Sequence, residues 1–190
     1  GSAKQARGKE FQAILPLKGK PKNTWQDDAD TLYANKEIEA IALAIGVDHH
    51  KPEDNPDLSG LRYHKIIIMA DADVDGAHIQ VLLLTLFFRH FYKLIERGHV
   101  YVAQPPLFRI DVPAGGKGRP ARKLYALDKQ ELAAIEQKLV DEGVRPGSWT
   151  VSRFKGLGEM SAEQLWETTL KPATRRMLPV RVEDGMLTTD

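Results

Sequence analysis

Residues Lys65 to His78 read KIIIMADADVDGAH. Ile66 to Met69 form an apolar run, mostly β-branched and without helical period, which predicts a buried strand. Asp71, Asp73, Asp75 and Gly76 follow just past its carboxyl end, where open α/β sheets place their ligands. If the backbone stays extended, the period of two directs all three Asp side chains to one side. Like charges held that close repel one another, and a divalent cation removes the conflict. A plainer reading makes the run an acidic turn that caps the next helix. That accounts for Asp75 and one more carboxylate, not for all three. A metal site on Asp71, Asp73 and Asp75 is the expectation.

Two other acidic motifs fit less well. An EF-hand loop also begins Asp-x-Asp-x-Asp-Gly, but it needs a bidentate Glu at its twelfth position and a helix before it. The twelfth position counted from Asp71 is Leu82, and a strand precedes the loop. A phosphohydrolase whose first Asp attacks phosphate wants Thr or Val four residues on, where this chain has Asp75. An oxygen-only cluster suits a hard ion such as Mg²⁺, which keeps waters and takes one or two carboxylates plus substrate phosphate.

At 190 residues the chain has the length of one ordinary domain, with room for a small appendage. An apolar content of 42% supports a packed core. The absence of Cys excludes a disulfide framework and a thiolate metal site. A net charge of +1 says nothing of partners until its distribution is read. No secretory leader is legible, and the apolar tract Val81 to Phe88 is too short to span a bilayer. A cytoplasmic protein with no membrane partner is expected.

The amino-terminal stretch to Lys22 is basic, with six Lys or Arg against Glu10 alone. A helix is predicted over Ala3 to Phe11 and a short strand over Ala13 to Leu17, which Pro16 weakens. Lys18-Gly19-Lys20-Pro21-Lys22 then makes a cationic turn with Asn23 beside it. A lone lysine cluster is usually a solvated loop. Beside a carboxylate metal site, a phosphate backbone is what such a pair holds between them. Ile38, Ile41, Ala42 and Ile45 recur at helical spacing over Leu32 to Ile45 and predict core packing, with Gly46 as terminator. His49 and His50 lie in a polar loop without a third ligand and read as surface residues.

Ala77 to Arg97, closed by Gly98, predicts one largely buried helix, and Val100 to Ala103 a strand after it. That strand–helix–strand order implies a parallel pair with a right-handed crossover. His78, in the first turn of the helix, suits either a phosphate contact or a bond to an Asp. Leu107 to Val112 and Lys123 to Leu127 read as paired strands, and Ser148 to Phe154 as another. Asp128 with Glu131 and Ser161 with Gln164 are capping boxes, opening helices that run to about Val140 and to near Pro172. Trp166 is expected in the core. Lys155-Gly156-Leu157-Gly158 is too short for a phosphate-binding P-loop. Arg175 and Arg176 form a cationic pair that suits a structural or a DNA-facing role equally.

The acidic stretch resembles the acidic motif of Toprim domains, and DADVDGAHI is similar to its form in the B subunits of type IIA bacterial topoisomerases. LPLKGK (Leu15 to Lys20), RGHVYVAQPPLFRI (Arg97 to Ile110) and RFKGLGEMSAEQLWETTLKPATRRML (Arg153 to Leu178) resemble three further segments of those subunits, in the same order. Lys20 to Trp25, and the short loop after Val112, look closer to the topoisomerase IV branch than to gyrase. The resemblance implies an α/β fold: a Rossmann-like Toprim parallel sheet flanked by helices over 1–112, with a smaller α+β extension over 113–190. It implies Mg²⁺ on Asp71 and Asp73 with Asp75 in support, Mn²⁺ or Ca²⁺ substituting. Lys18, Lys20 and Asn23 fall where the family touches DNA near the scissile bond, with His78 and Arg175 as further DNA contacts.

Implied partners are double-stranded DNA and the topoisomerase IV A subunit, in an A2B2 assembly at the nucleoid. The A subunit supplies the tyrosine that attacks a DNA phosphate, and the assembly passes one duplex through another at the expense of ATP. ATP is bound by a region outside this sequence. The family's motif Glu stands in a Glu-Gly-Asp-Ser-Ala-Gly run just before the segment matching Gly1 to Lys4, so the 190 residues alone are expected not to cleave DNA. A non-catalytic Mg²⁺- or nucleic-acid-binding module is the alternative of another class.

Overall fold

A computed structural model describes residues 2–17, 27–71, 74–116 and 118–189. In chain order the helices are α1 (Ser2–Ala6), α2 (Asp27–Ile45), α3 (Val74–His90), α4 (Tyr92–Glu96), α5 (Lys129–Asp141) and α6 (Ala162–Leu165). The strands are β1 (Ile66–Ile68), β2 (Val100–Ala103), β3 (Phe108–Val112), β4 (Arg122–Ala126), β5 (Thr150–Arg153), β6 (Met177–Pro179), β7 (Arg181–Glu183) and β8 (Met186–Thr188). They fall into two compact units that interleave along the chain. Among the described residues no helix is long and apolar enough to cross a membrane.

One unit is mixed α/β and carries the strand–helix–strand motif. β1 pairs parallel with β2, Ile66 opposite Val100, and β6 adds antiparallel on the other side of β2. The β-branched residues of β1 and β2 suit a sheet covered by helices. Ile38, Ile41 and Ile45 of α2, as their spacing predicts, join Leu83, Leu86 and Phe87 of α3 in its core. Phe91, Leu94 and Val100 are wholly buried there. α2 stops at Gly46, whose φ of +79° favours glycine and whose missing side chain admits the Gly60 carbonyl oxygen. Arg62 N–H then donates to the Ile45 carbonyl at 2.9 Å, bringing the chain round toward β1.

The single helix predicted over Ala77 to Arg97 is two helices, and it starts earlier, at Val74. Between them Phe91 leaves helical geometry, with φ −140° and ψ 39°. The cause lies forty-odd residues upstream. His50 N–H donates to the His90 carbonyl at 2.7 Å, and His50 pairs with Phe91 as a parallel bridge. His50 Nε2 accepts from Lys93 N–H at 3.1 Å, while Nδ1 sits 2.9 Å from the Asp48 carbonyl oxygen. Those two partners require a proton on Nδ1 and none on Nε2. The expectation that both histidines are surface residues is therefore corrected for His50, which is 5% exposed; His49 is exposed. The His50 imidazole supplies an acceptor to an N–H at the start of α4 that has no helical partner.

The other unit is built on Gln104–Arg176, with α1 and Asp71 belonging to it. β3 lies between β4 and β5, antiparallel to both, and its side chains alternate between buried and half-buried. Phe108, Ile110 and Val112 face Leu139 and Ile135 of α5. Of the two predicted capping boxes, that of Ser161 with Gln164 forms in full, while Asp128 makes its half and the Glu131 side chain accepts instead from Leu127 N–H at 3.3 Å. Asp128 accepts from Glu131 N–H at 2.8 Å, and Ser161 accepts from Gln164 N–H while the Gln164 side chain accepts from Ser161 N–H. α6 then widens into a π-helical turn, Trp166–Leu170, where the Thr168 hydroxyl donates to the Gln164 carbonyl at 2.7 Å. The buried face carries Gln164, Leu165, Thr168 and Thr169, so Trp166, off that face, is only half-buried rather than core.

The predicted strand at Ala13 to Leu17 is not formed; those residues are irregular. Three strands went unpredicted at the carboxyl end. β7 and β8 make a hairpin about Asp184-Gly185, both at positive φ (52° and 75°), as a type I′ turn requires.

Two outcomes follow for stability. His50→Ala leaves Lys93 N–H without its acceptor and should destabilise the protein by about 1–3 kcal/mol in urea unfolding. His49→Ala should stay within about 0.5 kcal/mol; equal effects would refute the capping role. The second outcome concerns His90. Burial, with the charges of His49 and Arg89 adding to it, holds its pKa below the ordinary 6.5. The unfolded chain binds that proton more readily, so the contribution of His90 is complete above about pH 6.5 and is lost as pH falls through the lower folded value. The unfolding midpoint of His90→Gln should therefore fall less than that of the parent chain between about pH 7 and about pH 5.

Candidate functional site

Asp71 stands three residues past the end of β1 and is exposed. Its Oδ1 accepts a hydrogen bond from the Leu157 N–H at 2.9 Å. That donor stands on a closed loop. Gly156 is fully extended (φ −178°, ψ 176°), and Leu157–Glu159 form a single 3₁₀ turn. Glu159 folds back, its Oε2 accepting from Lys155 N–H at 2.7 Å. Met160, 2% exposed, anchors the far end, and Ser161 opens α6. A carboxylate fixed in this way matches the usual support of metal-binding ligands, whose own orientation is set by a further hydrogen bond.

Asp75 is exposed in the first turn of α3, where a negative charge complements the helix dipole. The helix begins at Val74, so the period of two does not continue through Asp75. His78 lies three residues on, exposed and on the same side of α3. Asp73, Lys18, Lys20 and Asn23 lie outside the described residues. Among the described residues no three of His, Cys, Asp and Glu come together to hold a metal, and of the acidic triad only Asp71 and Asp75 are among them. The donors on offer are carboxylate oxygens in a chain without thiols, a set suited to a hard divalent cation.

The cationic pair near the carboxyl end divides in role. Arg176 Nη1 donates to both carboxylate oxygens of Glu131, at 2.6 and 2.5 Å, and is committed to that ion pair. Arg175 is half-buried and donates its backbone N–H to the Lys171 carbonyl at 2.8 Å. Arg176 also borders a cleft of about 380 Å³ with Lys123, Tyr125, Glu167 and Lys171. The Tyr125 hydroxyl is buried and has no hydrogen-bond partner among the described residues. Burial first, then the charge of Glu167, raises its pKa above the ordinary 10.0.

The residues that the sequence reading did not connect to the acidic run are Gly156 and Leu157. The Lys-Gly-Leu-Gly run was legible as a motif, but nothing in its local pattern names Asp71 as its partner.

Comparison with known proteins bears on this arrangement. The model of the Toprim domain matches residues 1–105, and that of the carboxyl terminus of the DNA gyrase B subunit matches residues 146–190. The B subunit of DNA topoisomerase 4 from Francisella tularensis is 52% identical over 97% of this chain, and that from Pseudomonas aeruginosa is 54% identical over 97%. The B subunit of DNA gyrase from Clostridium acetobutylicum is 47% identical over 98%. The chain spans 27–28% of the length of these relatives. With the Toprim model covering more than half of its residues, including the whole strand–helix–strand motif and the acidic run, the chain belongs to the Toprim family.

Proposed function

We propose that this chain is the metal-dependent DNA cleavage and religation module of the B subunit of a type IIA topoisomerase, of the topoisomerase IV kind. The observation that carries the reading is Asp71, an exposed carboxylate just past β1 whose orientation is fixed by the Leu157 N–H. Asp71 and Asp73 would hold Mg²⁺, with Asp75 in support and Mn²⁺ or Ca²⁺ able to replace it. When bound, Mg²⁺ supplies positive charge to the oxygens of a phosphodiester undergoing in-line displacement. Asp71 keeps its geometry because an N–H fixes it, so its orientation need not be set at the moment of reaction. Lys18, Lys20 and Asn23 would engage the DNA backbone near the cut, with His78 and Arg175 as further contacts.

The attacking tyrosine would come from a partner A subunit in an A2B2 assembly, since the relatives are B subunits by name. The assembly would pass one duplex through another with ATP. Relatives named for topoisomerase 4 are 50–54% identical and those named for gyrase 47–48%, which favours the first branch. Decatenation without negative supercoiling by the reconstituted assembly supports that branch; ATP-driven negative supercoiling replaces it with gyrase.

In that assembly Asp73→Ala should lower DNA cleavage by orders of magnitude and leave DNA affinity nearly unchanged. Its side chain repels phosphate and contributes only through the ion it holds. Loss of several kcal/mol of charge stabilisation is visible in rate at about 1.4 kcal/mol per factor of ten. Mn²⁺ should restore part of the loss. Normal cleavage in Mg²⁺ would withdraw the metal role of the acidic run. Changing Lys18 and Lys20 to Ala should weaken DNA binding and reduce its salt slope by roughly one unit per phosphate contact removed. An unchanged slope would make the basic turn a solvated loop.

A further inference from the structure

We infer that the Lys155–Met160 loop is a positioning element for the metal-binding carboxylate of Asp71, and that Gly156 is required for the room it leaves. The inference rests on the metal reading above and adds to it residues that the acidic motif does not contain. Gly156 has φ −178° and ψ 176°, extended backbone that any residue adopts, so conformation alone does not call for glycine there. Proximity does. A Cβ at Gly156 would stand 3.1 Å from Asp71 Oδ1, 3.2 Å from its Cγ and 3.5 Å from its Oδ2. Even one methyl group would push the carboxylate aside by a few tenths of an ångström.

The next residue supplies the hold. Leu157 N–H meets Asp71 Oδ1 at 2.9 Å across 86 residues of sequence. An exposed carboxylate has several rotamers open to it, and one fixed donor selects among them. The donor is itself fixed, because Glu159 ties the loop back to Lys155 N–H at 2.7 Å, Glu159 N–H reaches the Gly156 carbonyl, and Met160 N–H reaches the Leu157 carbonyl. Glu159 therefore acts on Asp71 only through the loop. This gives the Lys-Gly-Leu-Gly-Glu run a purpose that a phosphate-binding loop does not: its backbone grips a carboxylate.

The test compares Gly156→Ala and Glu159→Ala with Asp71→Ala in the full-length protein that contains this chain. Mn²⁺ binding is followed through the free-ion paramagnetic resonance signal, and amide exchange over 155–160 by mass spectrometry. Outer partners of metal ligands commonly contribute 10–100-fold in affinity, so Gly156→Ala should weaken Mn²⁺ binding by about that factor. Glu159→Ala should weaken it less and speed exchange in the loop, and it serves in place of Gly156→Ala should that variant misfold. Asp71→Ala should speed exchange at Leu157. Wild-type Mn²⁺ affinity in both loop variants would overturn the proposal. If Asp71→Ala binds Mn²⁺ as the parent does, the metal reading itself fails and takes the loop's purpose with it. Exchange at Leu157 still reports separately whether the grip exists.

Discussion

Parallel strands cannot be joined by a tight turn, and that constraint organises the unit containing β1 and β2. Their side-by-side pairing obliges the chain to leave the carboxyl end of β1, cross the sheet and return to the amino end of β2. The crossing segment must bury a face against the strands, which is why Leu83, Leu86, Phe87, Phe91 and Leu94 share one core with Ile68, Val100 and Val102. The acidic run is where the crossing starts. It stands where strand gives way to helix, a place at which backbone N–H groups and the helix dipole favour negative charge. Carboxylates there are compatible with the fold before any ion is considered.

Local patterns carried much of this in advance. Ile66 to Met69 reads as a strand because four consecutive apolar residues, three of them β-branched, admit little else beside a Gly-containing acidic turn. Asp128 with Glu131 and Ser161 with Gln164 mark helix starts because a short polar side chain can reach only the first free N–H groups. The Asp184-Gly185 turn went unread, although the pair invites positive φ, because the strands it joins are three residues each and give too little alternation to register.

What escaped the sequence was set by residues far apart. The break at Phe91 has no local signal, neither Pro nor Gly; it is imposed by His50, whose own pattern in a polar loop reads as solvent-facing. A histidine without ligand partners nearby looks idle until the backbone N–H it accepts from is in view. Trp166 was misplaced because the buried face runs through Gln164, Leu165, Thr168 and Thr169 in a helix that widens to a π-turn, closed by Lys171 N–H on the Trp166 carbonyl at 2.7 Å. The partner of Asp71 escaped for the same reason as that of His50. A hydrogen bond to a backbone N–H leaves no trace in the identity of the residue that donates it, and Leu157 would serve as any residue but proline.

The placement of β6 has a consequence for how the protein is made. β2 gains its second neighbour from Met177–Pro179, and Val180, 1% exposed, completes the same core. Both are translated after the whole of Gln104–Arg176, the main segment of the other compact unit. On the ribosome, then, the unit containing β1 and β2 waits with one strand edge bare and part of its apolar core unfilled while Gln104–Arg176 emerges. An open edge beside exposed Val and Ile is an invitation to pair with the wrong strand. Completion of that unit is thus a late event, gated by the synthesis of Gln104–Arg176.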